Sequence, residues 1–369
     1  FSAIFISRLI FLALLDRNKS IKFDNKITRN FLENVRIDWI RIRRIGYLFS
    51  IIVVLLGVGS LCTRGVSYGV DFAGGRTYVV KFDTKVVAED VRAAMREEIQ
   101  TEKGASVEVK TYGQGGEQLK VTTDYLIGDQ SDEADSIVDQ LMYKALNEFF
   151  VNPISFSEFI STLENPYGII QSEKVGPTVA DDMKRDAVIA VILAVIAMFI
   201  YIAIRFKKWQ WGLGAAVSQA HDAFFVLFLF SIFSGILPFT LDIDQTFIAA
   251  LLTIVGYSIN DTVIIFDRIR ENINNHPKTD LRSNINNAIN SVLVRTVNTS
   301  MSTLVVLIAI FLFGGEAIQG FSFALIMGIL FGTYSSIFIA TPISYDLLIL
   351  KRKEMKIGEK KIAVPGKKK

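Results

Sequence analysis

The chain has 369 residues, 51% hydrophobic and 21% charged, with 28 Phe, 7 Pro and a mean hydropathy of +0.38. That composition excludes a disordered chain, a collagen-like chain and a nucleic-acid-binding arm. One Cys and two His exclude a disulfide scaffold and count against a zinc site, and the formal net charge of +3 hides a strong segregation along the chain.

Residues 1–15 are apolar and end at Asp16-Arg17. They lack the basic start and small-residue cleavage pattern of a signal peptide. Phe1-Ser2-Ala3-Ile4-Phe5-Ile6 is similar to Tyr334-Ser335-Ser336-Ile337-Phe338-Ile339; at the same offset Ile10 matches Ile343, and Leu14-Leu15 match Leu347-Leu348. Residues 1–16 are therefore expected to be the end of a last membrane helix from a preceding copy of the same unit. A linker at 17–44 follows, and the chain is expected to be the C-terminal part of a longer, internally duplicated protein.

Six apolar stretches follow, at about 45–63, 183–204, 211–234, 245–266, 295–314 and 319–343. About 20 apolar residues at 1.5 Å each cross a hydrocarbon core of about 30 Å, so each predicts a membrane helix. The first stands alone at 45–63; the other five fall in 179–350, before a basic tail at 351–369. Residues 64–186 carry a net charge of −9 and the remainder +12. The basic segments at 36–44, 205–208 and 351–369 agree in parity only if they share one side. The positive-inside rule makes that side cytoplasmic and puts residues 64–178 outside.

Between the first two spans the pattern changes. Residues 77–82, 107–112, 119–122 and 169–175 alternate like strands; 87–99 and 132–150 have a helical apolar period. The order βαββαβ predicts a small ferredoxin-like α+β domain over 64–178. Neither Gly74-Gly75 nor Gly113-Gln114-Gly115-Gly116 completes a phosphate or dinucleotide loop, and no segment reads as an ATP site.

Ionisable groups inside the spans carry most of the functional information, because each costs about 2.5–3.5 kcal/mol to insert. Asp222 falls near the middle of the third span and Asp261 in the fourth. Arg295 opens the fifth; if that helix starts near Ile285, Arg295 lies within a continuous rod whose polar stripe includes Asn298, Thr299, Ser302 and Thr303. The fourth and fifth spans run antiparallel, so Asp261 and Arg295 can meet at one depth. Burial favours a protonated carboxylate and a nearby guanidinium an ionised one, which together would suit a proton or ion relay. A packing role for the same groups stays open, as does one for His221, whose adjacency to Asp222 predicts a different helix face. The group Asp267, Arg268, Arg270 and Glu271 reads as a solvated salt-bridge cluster.

At these residues the chain resembles a known family. Gly256-Tyr257-Ser258-Ile259-Asn260-Asp261-Thr262-Val263, then Phe266-Asp267-Arg268-Ile269-Arg270-Glu271-Asn272, is similar to the fourth-helix motif of the SecF family. Arg295-Thr296-Val297-Asn298-Thr299-Ser300 resembles its fifth-helix motif, and His221-Asp222 its third-helix pair. Gly69-Val70-Asp71-Phe72-Ala73-Gly74-Gly75 and Val175-Gly176-Pro177 resemble the motifs after its first helix and before its second. Ala73 departs from the more usual Thr. The linker at 16–39 is not a recognisable feature of the family.

The resemblance implies an α-helical membrane protein with a six-helix RND-type bundle and one ferredoxin-like extracytoplasmic domain. It implies the SecF half of a fused SecDF, with residues 1–16 ending the SecD half. The implied role is a Sec accessory subunit of the bacterial inner membrane, without enzyme activity or cofactor, that uses a proton or sodium gradient to drive late preprotein translocation through SecYEG. Asp261 and Arg295 would then belong to the ion path together with Asp222, supported by His221, Asn260 and Thr299. SecD, SecYEG, YajC, YidC, the unfolded preprotein and membrane lipid are the implied partners, with no nucleic acid. An RND-type exporter of small molecules or lipids is the first alternative, disfavoured by an outer domain of about 115 residues. A passive translocon scaffold is the second.

Overall fold

The computed structural model describes residues 2–16, 35–99, 107–112, 115–129, 131–161, 166–237, 239–314 and 316–350. The basic tail at 351–369, residues 17–34 of the linker, and Gly113-Gln114 of the predicted turn lie outside them.

Helix α1 (Ser2–Asp16) carries exposed apolar side chains, Phe5 and Leu15 among them. Helix α2 (Trp39–Thr63) starts at Asp38, whose carboxylate caps the Arg41 amide. The same carboxylate pairs with Arg282 and accepts from Asn286 at 2.7 Å. The Trp39 indole donates to Asn290 at 2.8 Å, so the start of the first span is pinned to the fifth.

The extramembrane domain follows as β1 (Ser67–Tyr68), α3 (Val70–Ala73), β2 (Gly75–Lys81), α4 (Ala88–Ile99), β3 (Val107–Thr111), β4 (Gln118–Thr123), α5 (Asp132–Leu146), α6 (Phe156–Ile160) and β5 (Gly168–Val175). Four strands form an antiparallel sheet in the order β3-β4-β2-β5. That is the predicted ferredoxin-like arrangement, with α4 and α5 covering one face. Val91, Met95, Val138 and Met142 meet Val80, Phe82, Leu119 and Val121 in its core, all fully buried. The helix expected to reach residue 150 ends at Leu146 in a 3-10 turn, Asn147–Phe149. Gly74 and Gly75 turn the chain from α3 into β2 at φ +73° and +145°, conformations that side-chain-bearing residues avoid.

The remaining elements are α7 (Pro177–Arg205), α8 (Trp209–Phe233), β6 (Asp242–Ile243), α9 (Gln245–Asn275), α10 (Leu281–Phe313) and α11 (Glu316–Ser335), which runs on through a π turn, Ser336–Ala340, to residue 350. With α2 these make six helices, among the described residues, long and apolar enough to span a membrane. They overrun the predicted spans. At 31 residues α9 is about 46 Å long, well beyond the hydrocarbon thickness. Counting apolar runs cannot see helix that continues into water. The overhang of α9 carries the expected salt-bridge cluster: Arg270–Asp267 at 2.9 Å and Arg268–Glu271 at 2.7 Å.

Two apolar clusters fill the bundle. One, at the domain end, gathers Phe72, Phe230, Phe247 and Phe323; the other, at the opposite end, gathers Trp39, Trp211, Phe266 and Ile289. Buried hydroxyls and carboxylates lie between them. Helices approach closely where glycine permits: a Cβ on Gly57 of α2 would sit 2.1 Å from the Phe228 ring of α8, whereas Gly59 has nothing within 4 Å.

The domain is tied to the bundle by contacts invisible in the helical and strand periodicities. Strand β1 pairs in parallel with β6, from the connection between α8 and α9. Asp242 of β6 accepts from Lys110 of β3 at 2.8 Å and from Ser67 of β1 at 2.7 Å. Asp71, in the glycine-ending motif, accepts from the Gln245 amide at 3.0 Å, while Asp244 accepts from Phe247 at 2.8 Å. Two carboxylates thus cap the first turn of α9, one of them supplied by the domain.

Two predictions follow from this packing. Gly57→Ala forces the Phe228 ring to move and lowers stability by about 1–3 kcal/mol, while Gly59→Ala leaves the melting temperature in detergent unchanged. Burial pushes the Asp242 carboxyl up, but Lys110 and Ser67 outweigh it and hold it below the ordinary carboxylate value. A depressed native value stabilises the fold above the unfolded carboxyl pKa of about 3.9 and is lost as pH falls through the native value. The melting temperature therefore drops in acid below about pH 4, and Asp242→Asn removes that part of the acid dependence.

Candidate functional site

The layer between the two apolar clusters is built from α8, α9, α10 and α11. Asp222 of α8 is fully buried, and both its oxygens are engaged. Ser258 of α9 and Ser335 of α11 each donate to Oδ2 at 2.7 Å, and His221 Nδ1 lies 3.2 Å from Oδ1. Ser218 donates in turn to Ser335 at 2.9 Å. Adjacent helical positions do not share a face, which is why His221 was expected to point elsewhere. The imidazole nevertheless swings back to its neighbour, leaving its ring 10% exposed and stacked towards Phe225.

Asp261 of α9 is also fully buried, but it is differently served. Thr333 of α11 donates to Oδ2 at 3.2 Å and shares a 2.6 Å hydrogen bond with Ser300 of α10. Oδ1 is buried and has no hydrogen-bond partner among the described residues. The next residue, Thr262, bonds Ser336 at 2.8 Å, and Ser336 reaches the Ser258 carbonyl at 3.3 Å. The π turn begins at this serine, with the Thr341 amide bonded five residues back to the Ser336 carbonyl.

The structure does not bring Arg295 to Asp261. Helix α10 does begin early enough, at Leu281, to place Arg295 within a continuous rod. Its buried face, however, runs through Leu293, Thr296, Ser300, Leu304 and Leu307. Arg295 is one residue, about 100°, off that face, and it is exposed. It lines a cavity of about 770 Å³ with Asp267, Arg268, Glu271 and Ser291. Among the described residues its guanidinium makes no hydrogen bond or ion pair. Asn298 and Ser302 share its exposed side. Asn260 faces outward as well, and Thr299 bonds its own helix, at the Arg295 carbonyl, 2.8 Å. The donors Ser258, Thr333 and Ser335 were missed. The available signal was Thr333-Tyr334-Ser335-Ser336, four consecutive hydroxyl side chains in an otherwise apolar helix.

No group of three or more His, Cys, Asp or Glu side chains among the described residues could hold a metal ion. What the site offers is a buried carboxylate, a chain of hydroxyls and one oxygen without a donor.

Comparison with known proteins bears on this geometry. Residues 156–349 match the family described as protein export membrane protein SecD/SecF, C-terminal, and residues 59–86 match the SecD/SecF GG motif. The protein translocase subunit SecF of Rhodothermus marinus is 41% identical over 85% of this chain and 94% of its own. That of Haemophilus influenzae is 32% identical over 84% and 86%. The crystal structure of SecDF from Thermus thermophilus, a translocon-associated membrane protein, superposes with a TM-score of 0.73 at 28% identity. It covers 94% of this chain, which spans only 42% of that SecDF chain. A second SecDF crystal structure, in a super-membrane-facing form, gives a TM-score of 0.64.

The hydroxyls around Asp222 yield a direct test. Ser335→Ala removes one donor from a fully buried carboxylate and lowers stability by about 1–3 kcal/mol. Asp222→Asn in the same chain restores part of that loss, since an amide is cheaper to leave underpaired than a charge. Thermal unfolding of the two single variants and the double variant in detergent measures the coupling.

Proposed function

The chain belongs to the SecF family of protein translocase subunits, and we propose that it completes preprotein movement through SecYEG by coupling that movement to a proton or sodium gradient. It is a multi-pass membrane protein and a Sec accessory subunit; the energy source is our reading. The observation that carries it is the bare Asp261 Oδ1 in a fully buried site. Hydrocarbon does not tolerate an ionised carboxylate with an unmatched oxygen. Such a group is satisfied by taking up a proton or cation, or by a partner that arrives and leaves. In contrast, Asp222 has both oxygens engaged and reads as the fixed member of the pair.

The outward polar stripe supports a SecD partner. Asn298, Ser302 and Asn260 are exposed on spanning helices, where lipid is a poor neighbour for them, and Arg295 is exposed beside the α9 overhang. A SecD half packed against α9 and α10 would cover them and set Arg295 beside the ion path. In this arrangement α1 ends the last helix of SecD, as its likeness to residues 334–348 suggests. The basic connection at 205–208 and the basic tail face the cytoplasm, and the acidic domain faces the periplasm. YajC and YidC belong to the same proposed assembly.

Taking up an ion at Asp261 changes what Thr333 and Ser300 must satisfy, and so shifts α11 against α9 and α10. The α9 cap at Asp71 and the β1–β6 pair carry that shift to the domain. One charge crossing 100 mV supplies about 2.3 kcal/mol, so a large stroke consumes several ions. Asp261→Asn in the whole assembly is expected to abolish the gradient-dependent part of preprotein export in proteoliposomes, while complex formation persists. Normal gradient-driven export by that variant would leave only the scaffold reading.

A further inference from the structure

The end of the bundle opposite the domain holds a cavity of about 830 Å³ that the ion path does not use. Its rim is basic. Arg205 ends α7, Lys207 and Lys208 form the turn into α8, and Arg270 projects from α9. The two guanidiniums are held in place: both lie over the Phe206 ring, at 5.7 and 5.5 Å, and both pair with Asp267. Asp267 thus offsets one charge of four. Lys207 and Lys208 are exposed, and their ammonium groups make no ion pair or hydrogen bond among the described residues.

Three further features converge on the cavity. Lys207 adopts φ +56°, a left-handed conformation that a β-carbon disfavours and that marks a locally constrained turn. Lys208 caps α8 without a side-chain bond, so the positive end of that helix opens beside it. Gln210, in the first turn of α8, lines the cavity and is 1% exposed, yet its Oε1 has no hydrogen-bond partner among the described residues. Trp211 and Leu348 supply an apolar floor. Ile204 and Tyr201 on the last turn of α7 are 72% and 52% exposed, an apolar surface leading away from the basic rim.

We propose that this cavity binds the headgroup of an anionic phospholipid, with the phosphate on Lys207, Lys208 and the α8 N-terminus and a headgroup hydroxyl donating to Gln210. The unmatched acceptor asks for a donor, the uncompensated cations ask for an anion, and the lipid-facing end of α7 accepts acyl chain. A basic pocket between spanning helices is a recurrent form of such a site. The proposal is independent of the ion-coupling reading, since it uses neither Asp261 nor Arg295.

The test is quenching of tryptophan fluorescence in the full chain reconstituted in bilayers, because Trp211 lines the cavity and Trp209 adjoins it. Phosphatidylglycerol with brominated acyl chains is compared with brominated phosphatidylcholine. The wild type is expected to prefer phosphatidylglycerol, each lysine contributing about fivefold. Lys207→Gln/Lys208→Gln is expected to lose the preference and Lys207→Arg/Lys208→Arg to keep it. If inorganic phosphate at constant ionic strength abolishes the preference, the cavity takes the same phosphate chemistry from solution as well as from lipid. Equal quenching by both lipids in the wild type, or an undiminished preference in the glutamine variant, overturns the proposal.

Discussion

Two carboxylates are buried in a helical bundle where water cannot solvate them, and most of the bundle's internal geometry answers that constraint. An acidic side chain in hydrocarbon must find donors within reach, and helix backbones have none to spare. The donors are hydroxyls: Ser258 and Ser335 for Asp222, Thr333 for Asp261, with Ser218 and Ser300 behind them. Short side chains work only when helices are close. The spanning helices are brought together by glycine: a Cβ on Gly332 would lie 3.1 Å from Ser258, and one on Gly328 2.3 Å from Ile254. Apolar clusters close the layer from both sides.

The same constraint joins the site in the bundle to the α+β domain. Helix α9 carries Asp261 and Ser258 in its middle and is capped at its domain end by Asp71, from the motif that ends in Gly74-Gly75. The motif is therefore neither a phosphate loop nor only a turn. It supplies a helix cap across the boundary between domain and bundle, and its glycines start the central strand β2. Lys110 and Asp242 add a second tie from a different strand.

Much of this was legible from the chain alone. Apolar length identifies the six spans, alternation and helical period identify the βαββαβ domain, and the cost of intramembrane charge singles out Asp222 and Asp261. The rest depends on which helix faces which. Periodicity places Arg295 on a polar stripe but cannot say whether the stripe looks inward; the buried line through Thr296 and Ser300 shows that it looks outward. A hydroxyl in an apolar helix reads as packing until the carboxylate opposite is known, so Thr333 and Ser335 stayed silent. Two-residue strands such as β1 and β6 lack the length to show any alternation.

The π turn at Ser336–Ala340 has a consequence for the chain's tolerance of length change. It holds one more residue than an α-helix would need to cover the same rise. Above it, Thr333 and Ser335 serve the two carboxylates; below it, Ser344 bonds the Gln210 carbonyl at 3.3 Å and Asp346 pairs with Arg43 at 3.1 Å. Deleting one residue within the turn would let it close into regular helix over the same rise, with both flanks facing as they do now. The carboxylate donors would stay in place, and Ser344 and Asp346 would keep their partners on α8 and α2. A one-residue deletion elsewhere in this helix has no wide turn to absorb it and would rotate one half against the other by about 100°.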